Sequence, residues 1–272
     1  MSLNNSYLTN LFLKVKILHK LGTITIMNRR LFLTTLSFSP LFANEFVQKN
    51  SDVFLSYSEY KTLKSLDARF KRLRAYIGFA NFNLVSFDEA LYYARNYPTI
   101  GRFKDDELSL IERFFHEDPN AYGFYGAKTC RNLNNEISQK DVVKIPYTGH
   151  YLFKGKPQED YDKLIKDVGA SLILTSGVRN IVKQLSLYAG KLKRNGGNIT
   201  NASIDIAPPA YSYHTISDFD VGLRGWGYKN FTDEFATTRE FEMMTKLSYI
   251  KMRYQKNNSD GVRFEPWHVE VI

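Results

Sequence analysis

Apolar positions along the chain fall into two regimes. Between 55 and 95 they recur at helical spacing in a stretch rich in Lys and Arg, with Leu63, Leu66, Phe70 and Leu73 on one face. Ser86 and Glu89, ahead of Ala90, Leu91 and Tyr92, have the form of a capping box that opens a helix. A further helix is predicted over about 105–116, with Leu108, Leu110, Ile111, Phe114 and Phe115 as its apolar face. Together these segments predict a helical N-terminal region over 44–139.

From about 140 the pattern changes. Val142 to Ile145 read as a short strand ended by Pro146. Residues 158–168 predict a helix with Tyr161, Leu164 and Ile165 on one face. The run Ser171 to Leu174 suits a buried strand. It leads through Ser176-Gly177 into a helix at about 180–193, which Gly196-Gly197 stops. Strands are predicted over 218–221 and 263–272, with a helix at about 232–247 between them. Strands and helices mixed in this order predict an α+β domain over 140–272.

The first 43 residues read as an address. From Met27, Arg29 and Arg30 form a charged region and Leu31 to Phe42 an apolar one, too short to span a bilayer. Pro40 and the lack of polar positions argue against a buried helix, and Ala43 offers a small residue for cleavage. The Arg pair before Leu-Phe-Leu also resembles a twin-arginine export signal. Residues 1–43 are therefore expected to be an upstream extension plus a signal peptide, with Met27 as the start. The mature protein is expected to be periplasmic or secreted, without a membrane span. This segment also distorts the charge balance. The whole chain carries 37 Lys+Arg against 28 Asp+Glu, a net +9. Residues 1–43 hold five of those cations and no acid, so the remainder carries 32 against 28, or +4. So mild a surplus, with no RNP-like, zinc-finger or helix-turn-helix pattern, argues against a nucleic-acid partner.

Cysteine and histidine usage narrows the chemistry. The one cysteine, Cys130, excludes a disulfide within the chain and a Cys-based zinc site. Any metal must be held by His and carboxylates, and the five His are His19, His116, His150, His214 and His268. Three segments stand out: Thr175-Ser-Gly-Val-Arg179 with Gln184 following, Tyr211 to Gly222 containing His214, Asp218 and Asp220, and Glu265-Pro-Trp-His268. A catalytic zinc site takes about three protein ligands and leaves a position open. His214, Asp220 and His268 suit that role if the last strand packs beside the second segment, and Glu265 is then the natural general base. Arg179 suits a substrate carboxylate or a developing oxyanion. Pro266 rules out a helical pairing of Glu265 with His268. On a regular strand the two would face opposite sides, so a turn or bulge at Pro266-Trp267 is required. His150, in a polar-aromatic segment, suits either a groove wall or a surface loop.

Together the three segments resemble the LAS group of zinc peptidases, named for lysostaphin, D-Ala-D-Ala metallopeptidases and hedgehog. The match is to its D-alanyl-D-alanine carboxypeptidase and dipeptidase (VanY-like) branch. That branch shows S-G-Y-R-S with a following Gln, then S-x-H-x-x-G-x-A-x-D, then E-x-W-H. Ser176, Gly177, Arg179 and Gln184 fit the first motif, Ser212 and His214 the second, and Glu265, Trp267 and His268 the third. The resemblance covers roughly 140–272. It implies a small antiparallel sheet flanked by helices, a Zn2+ cofactor and peptidoglycan stem peptides as substrate. It further implies His214 and His268 as ligands, Glu265 as base, Arg179 for substrate or transition state, and Ser212, Gln184 and Ser176 for substrate. The family places Asp seven residues after the first His, where this chain has Val221. Asp220, one place early, aligns with a one-residue deletion, and Asp218 is the alternative third ligand. The implied activity is a D,D-carboxypeptidase removing terminal D-alanine. An endopeptidase or an L,D-carboxypeptidase with the same zinc centre is the alternative within the class. An inactive domain that binds cell wall is the alternative outside it, motivated by the irregular His-to-Asp spacing.

Overall fold

A computed structural model describes residues 52–272, which form one compact unit. The signal peptide, the Met27 start and the twin-arginine reading lie outside these residues. The helical region begins with α1 (Tyr57–Ile77), whose N-terminus is closed by a capping box between Ser56 and Glu59. Its apolar stripe, Leu63, Leu66, Phe70 and Leu73, is fully buried. Helix α2 (Phe87–Asn96) starts at the Ser86–Glu89 capping box predicted from sequence. The break between α1 and α2 divides the single helical stretch read over 55–95. Helix α3 (Asp105–His116) buries Leu110, Ile111, Phe114 and Phe115. Arg69 and Glu107 form a buried ion pair between α1 and α3, with Nε–Oε2 at 2.7 Å.

The second half is the expected mix of helices and small antiparallel sheets. Strands β1 (Val142–Ile145) and β2 (His150–Phe153) form a hairpin. Helix α4 (Lys156–Val168) leads to β3 (Leu172–Ser176), then to α5 (Ile181–Arg194) and α6 (Ile199–Asp205). Helix α5 ends where Gly196 and Gly197 take positive φ of 64° and 86°. A four-stranded sheet then forms in the order β3, β4 (Phe219–Leu223), β6 (His268–Glu270), β5 (Lys251–Met252), every pairing antiparallel.

Two predicted elements are shorter than their patterns suggested. The helix read over 232–247 is confined to α7 (Arg239–Thr245), preceded by short 3-10 turns. Thr232 and Thr238 cap the backbone there with their hydroxyls and restart the chain twice. The strand read over 263–272 is confined to β6. Pro266 supplies no N–H, and a turn closes by a 3.1 Å bond from His268 N–H to the Glu265 carbonyl.

Two large apolar cores and a small cluster of Leu84, Val142 and Val178 result among the described residues. One joins α1, α2 and α3 to the inner faces of α5 and α6, with Val182, Leu185, Tyr188 and Leu192 of α5 buried in it. The other lies under the sheet, among Leu164, Leu172, Leu174, Phe219, Val221, Trp267 and Val269. Helix α5 follows the loop carrying Arg179, and β4 and β6 carry the candidate acidic and imidazole ligands. The polar site thus lies where the elements of both cores meet.

Candidate metal centre

The sheet register sets the first pair. Asp220 stands directly opposite His268 across β4 and β6, and opposite Ser176 across β3 and β4. A β-bulge between Leu174 and Ser176 re-aims the end of β3. His214 arrives from a 3-10 turn, Tyr213–Thr215, just before β4. Its backbone carbonyl accepts from Arg179 N–H at 3.1 Å, which ties it to the loop after β3. The turn at Pro266-Trp267 resolves the facing problem for Glu265 and places its Oε2 3.6 Å from His268 Nδ1. His214, Asp220 and His268 are all buried, and one ligand atom from each lies within 4.8 Å of the others.

Hydrogen bonding fixes which nitrogens are available. His214 Nδ1 donates to the Gly177 carbonyl at 2.9 Å, leaving Nε2 with its lone pair. That Nε2 sits 3.3 Å from Asp220 Oδ2 and has no hydrogen-bond partner. Burial, aided by the Arg179 charge, pushes His214 down to about 4. A neutral imidazole nitrogen thus points its lone pair at a carboxylate, an arrangement that repels unless a cation lies between them. Asp220 Oδ1 is likewise buried without a hydrogen bond, although His268 Nδ1 lies 3.1 Å away. His268 uses its other nitrogen, Nε2, toward Asp218 Oδ2 at 3.0 Å. The free atoms are therefore His214 Nε2, an Asp220 oxygen and His268 Nδ1. Two imidazoles and one carboxylate, with no thiolate, are the donor set of a three-ligand zinc site, so the residues fit the ion.

Asp218 lies on the far side of His268. It accepts from His268, from the Arg253 guanidinium and, at 3.1 Å, from Val271 N–H. Burial alone would raise its carboxyl, but these partners hold it well below the usual carboxylate range. Its geometry is that of a carboxylate that orients a ligating histidine. Asp220 is also held well below that range, against burial, by its interactions with His214 and with the Arg179 guanidinium. Burial pushes His268 down, but Asp218 and Asp220 outweigh it and lift the imidazole to about 9.

Glu265 is the odd carboxyl. Burial pushes it up to about 7, with Asp220 adding to the rise and His268 opposing it. A carboxyl tuned near neutrality beside the His268 imidazole suits proton transfer. Arg179 donates through Nε to Ser176 Oγ at 2.8 Å and through Nη2 to Asp220 Oδ2 at 2.5 Å. Ser176 thus holds the guanidinium. Gln184 donates to the Ala207 carbonyl at 2.7 Å, while its Oε1 is unpaired. Ser176, Arg179, Gln184, Ser212, His214, Asp220, Glu265 and His268 all line one cleft of about 650 Å³.

The structure also brings in residues that sequence reasoning did not select. Arg253, immediately after β5, binds Asp218 and stacks on Tyr213 with its guanidinium carbon 3.6 Å from the ring centroid. Tyr254 packs against His268 at 4.8 Å between centroids and lines the cleft. No motif marks either one. His150 is buried on β2 and lines the cleft wall. Cys130 and His116 stand outside the cleft.

Part of the chain is similar to a known family of sequences. Residues 157–272 match the sequence model of the family described as VanY, D-alanyl-D-alanine carboxypeptidase. Over that segment the chain is similar to the VanY peptidase family, in line with the resemblance to the LAS-type zinc peptidases read from the sequence. No curated protein matches the chain. Among solved structures, the LdcB LD-carboxypeptidase is similar at 19% identity and a TM-score of 0.42, over 50% of this chain and 70% of its own. The vancomycin-resistance D,D-dipeptidase VanXYg, bound to a D-Ala-D-Ala phosphinate analogue, is similar at 20% identity and a TM-score of 0.45, over 56% of this chain and 62% of its own. A VanY D,D-pentapeptidase mutant from a VanB-type resistance cassette, in complex with Zn(II), is similar at 18% identity and a TM-score of 0.38, over 53% of this chain and 86% of its own.

Proposed function

We propose that the protein is a zinc-dependent D,D-carboxypeptidase that removes terminal D-alanine from peptidoglycan stem peptides outside the cytoplasm. The observation that carries this reading is the convergence of His214 Nε2, Asp220 and His268 Nδ1, with the Glu265 carboxylate 3.6 Å from the last. His214, Asp220 and His268 would hold the ion, and Asp218 would fix His268 through its other nitrogen. A zinc ion in such a site acts as a Lewis acid and lowers the pKa of a bound water to about 7. Glu265 removes a proton from the attacking water and returns it to the departing amine. Arg179, held by Ser176 and Asp220, faces the cleft with a charge that stabilises the oxygen of the scissile carbonyl as it becomes negative. Ser212 and Gln184 offer polar atoms for the peptide backbone. The shortened His-to-Asp spacing, which favoured a binding-only domain, does not keep Asp220 from His214. Among the described residues no helix is long and apolar enough to cross a membrane.

The test is incubation of zinc-loaded protein with defined stem pentapeptides, tetrapeptides and cross-linked dimers, followed by mass analysis. Loss of one alanine from the pentapeptide alone supports the reading. Cleavage of the tetrapeptide would instead indicate an L,D-carboxypeptidase, and cleavage of the dimer an endopeptidase. Recovery of all substrates intact would contradict hydrolase function.

A further inference from the structure

The cleft extends beyond the candidate metal centre toward the helical region, and its wall there is cationic. Lys183, in the first turn of α5, is only 6% exposed, yet it lines the cleft. No carboxylate pairs with it among the described residues. Besides burial, the influences on it are the charges of Arg179 and Arg74, both cations. Burying an ammonium without a counter-ion is costly, and such groups normally find a partner. None of the acids that line the cleft, Asp205, Asp220 and Glu265, pairs with it. Phe79 lies under the ammonium, 5.1 Å from ring centroid to Nζ, and also packs edge-on against His150 at 5.2 Å. The His150 Nδ1 is buried without a hydrogen-bond partner. Arg74, exposed near the end of α1, lines the same cleft and is likewise without an ion-pair partner among the described residues. Lys191, farther along the cleft, differs in being neutralised by Asp205. Arg74 and Phe79 come from the helical region, outside the 157–272 segment that matches the peptidase family.

We infer that Lys183 and Arg74, with Phe79 and His150 as the flanking wall, form a subsite that binds a free carboxylate of the peptide substrate. This rests on the peptidase reading of the neighbouring centre. A carboxylate is the ligand because Lys183 and Arg74 are unpaired among the described residues, while the acids lining the cleft are engaged elsewhere, Asp205 by Lys191, Asp220 by Arg179 and Glu265 beside His268. The aromatic face of Phe79 supports the cation and gives the adjoining part of the peptide an apolar surface. The helical region then selects among substrates, since Arg74 and Phe79 are its contributions. Two carboxylates of a stem peptide have the required chemistry: the C-terminal one and a free side-chain one.

Three peptides distinguish these sources: one with both carboxylates free, one with the side-chain carboxylate as a carboxamide, and one with the C-terminus as a carboxamide. The subsite predicts that the full-length zinc-loaded protein loses about tenfold or more in kcat/KM against one of the two carboxamides, the size expected for a lost charge-assisted hydrogen bond. Lys183→Met should lower kcat/KM for the free acid to that level and leave the discriminated carboxamide within about twofold, with Lys183→Arg restoring the preference. Arg74→Gln should give a smaller loss of the same kind. Equal losses on all three peptides in Lys183→Met, or no discrimination by the wild type, would overturn the subsite. Calorimetric binding of the same peptides to Glu265→Gln protein separates the two readings. Discrimination in binding without turnover by the wild type would retain the subsite and reject the hydrolase. Equal affinities would reject the subsite whatever the turnover.

Discussion

At the scale of the residue, the centre depends on carboxylates given different tasks by their surroundings. Glu265 shows this most clearly. Its carboxyl is raised from 4.5 to about 7 by burial. A raised acid pKa means that the folded state holds the proton more tightly than the unfolded one. The contribution to stability is full below about 4.5 and is lost as pH rises through about 7, where burying the charge costs on the order of 3 kcal/mol. Metal-stripped Glu265→Gln protein should therefore melt at a higher temperature than wild type at pH 8, with the gap closing by pH 4. Circular dichroism melts in chelator would show this, and a lower melting temperature at pH 8 would mean that the ionised carboxylate is instead stabilised. With zinc present the same variant should keep its metal and lose about 10²-fold or more in kcat. Asp218 and Asp220 are separated by a similar argument. Asp220→Ala removes a candidate ligand and should abolish stoichiometric zinc binding. Asp218→Asn leaves the ligands but loosens His268, and should weaken zinc about 10–100-fold in a chelator competition. Equal effects of the two changes would return Asp218 to candidacy as the ligand.

At the scale of the element, the site depends on short irregular pieces rather than on long helices. Gly177 is the tightest of them. A Cβ there would overlap the Tyr151 carbonyl oxygen, which accepts from Val178 N–H at 2.7 Å, and the Gly177 carbonyl itself receives His214 Nδ1. Gly177→Ala should cost about 1–3 kcal/mol by overpacking and should also weaken zinc binding, because the His214 tautomer loses its anchor. Chemical unfolding and metal titration of the one variant check both halves. These pieces also mark the limit of what could be read from the chain. The amphipathic stripe of α3, the Ser86 capping box and the hairpin strand at Val142 were legible because local periodicity and capping decide them. The confinement of β6 to three residues was not, since it follows from where Pro266 interrupts the ladder. The Asp218–Arg253 pair was also hidden, because a lone Arg just after a two-residue edge strand carries no pattern. The sequence left Asp218 and Asp220 both open as the third ligand, and the register of β4 against β6, which pairs residue 220 and not 218 with His268, favours Asp220.

At the scale of the whole molecule, the family-matched segment and the helical region share a core. Helix α5 begins two residues after Arg179 and buries Val182, Leu185, Tyr188 and Leu192 among side chains of α1 and α3. Exposing those side chains would forfeit about 1.5–3 kcal/mol each, comparable in sum to the 5–15 kcal/mol that holds a typical domain together. A fragment spanning 140–272 should therefore fail to fold alone, seen as collapsed amide dispersion in NMR. A dispersed spectrum from that fragment would show that the helices are dispensable to the fold. The same long-range packing brings residues 214, 220 and 268 together, so the centre is a product of the complete fold. Anomalous diffraction at the zinc edge, from crystals of protein purified in zinc-replete medium, tests that convergence most directly. The expected result is one peak about 2.0–2.2 Å from His214 Nε2, an Asp220 oxygen and His268 Nδ1. A map with no peak among these three side chains, or with its peak elsewhere in the molecule, would contradict the account.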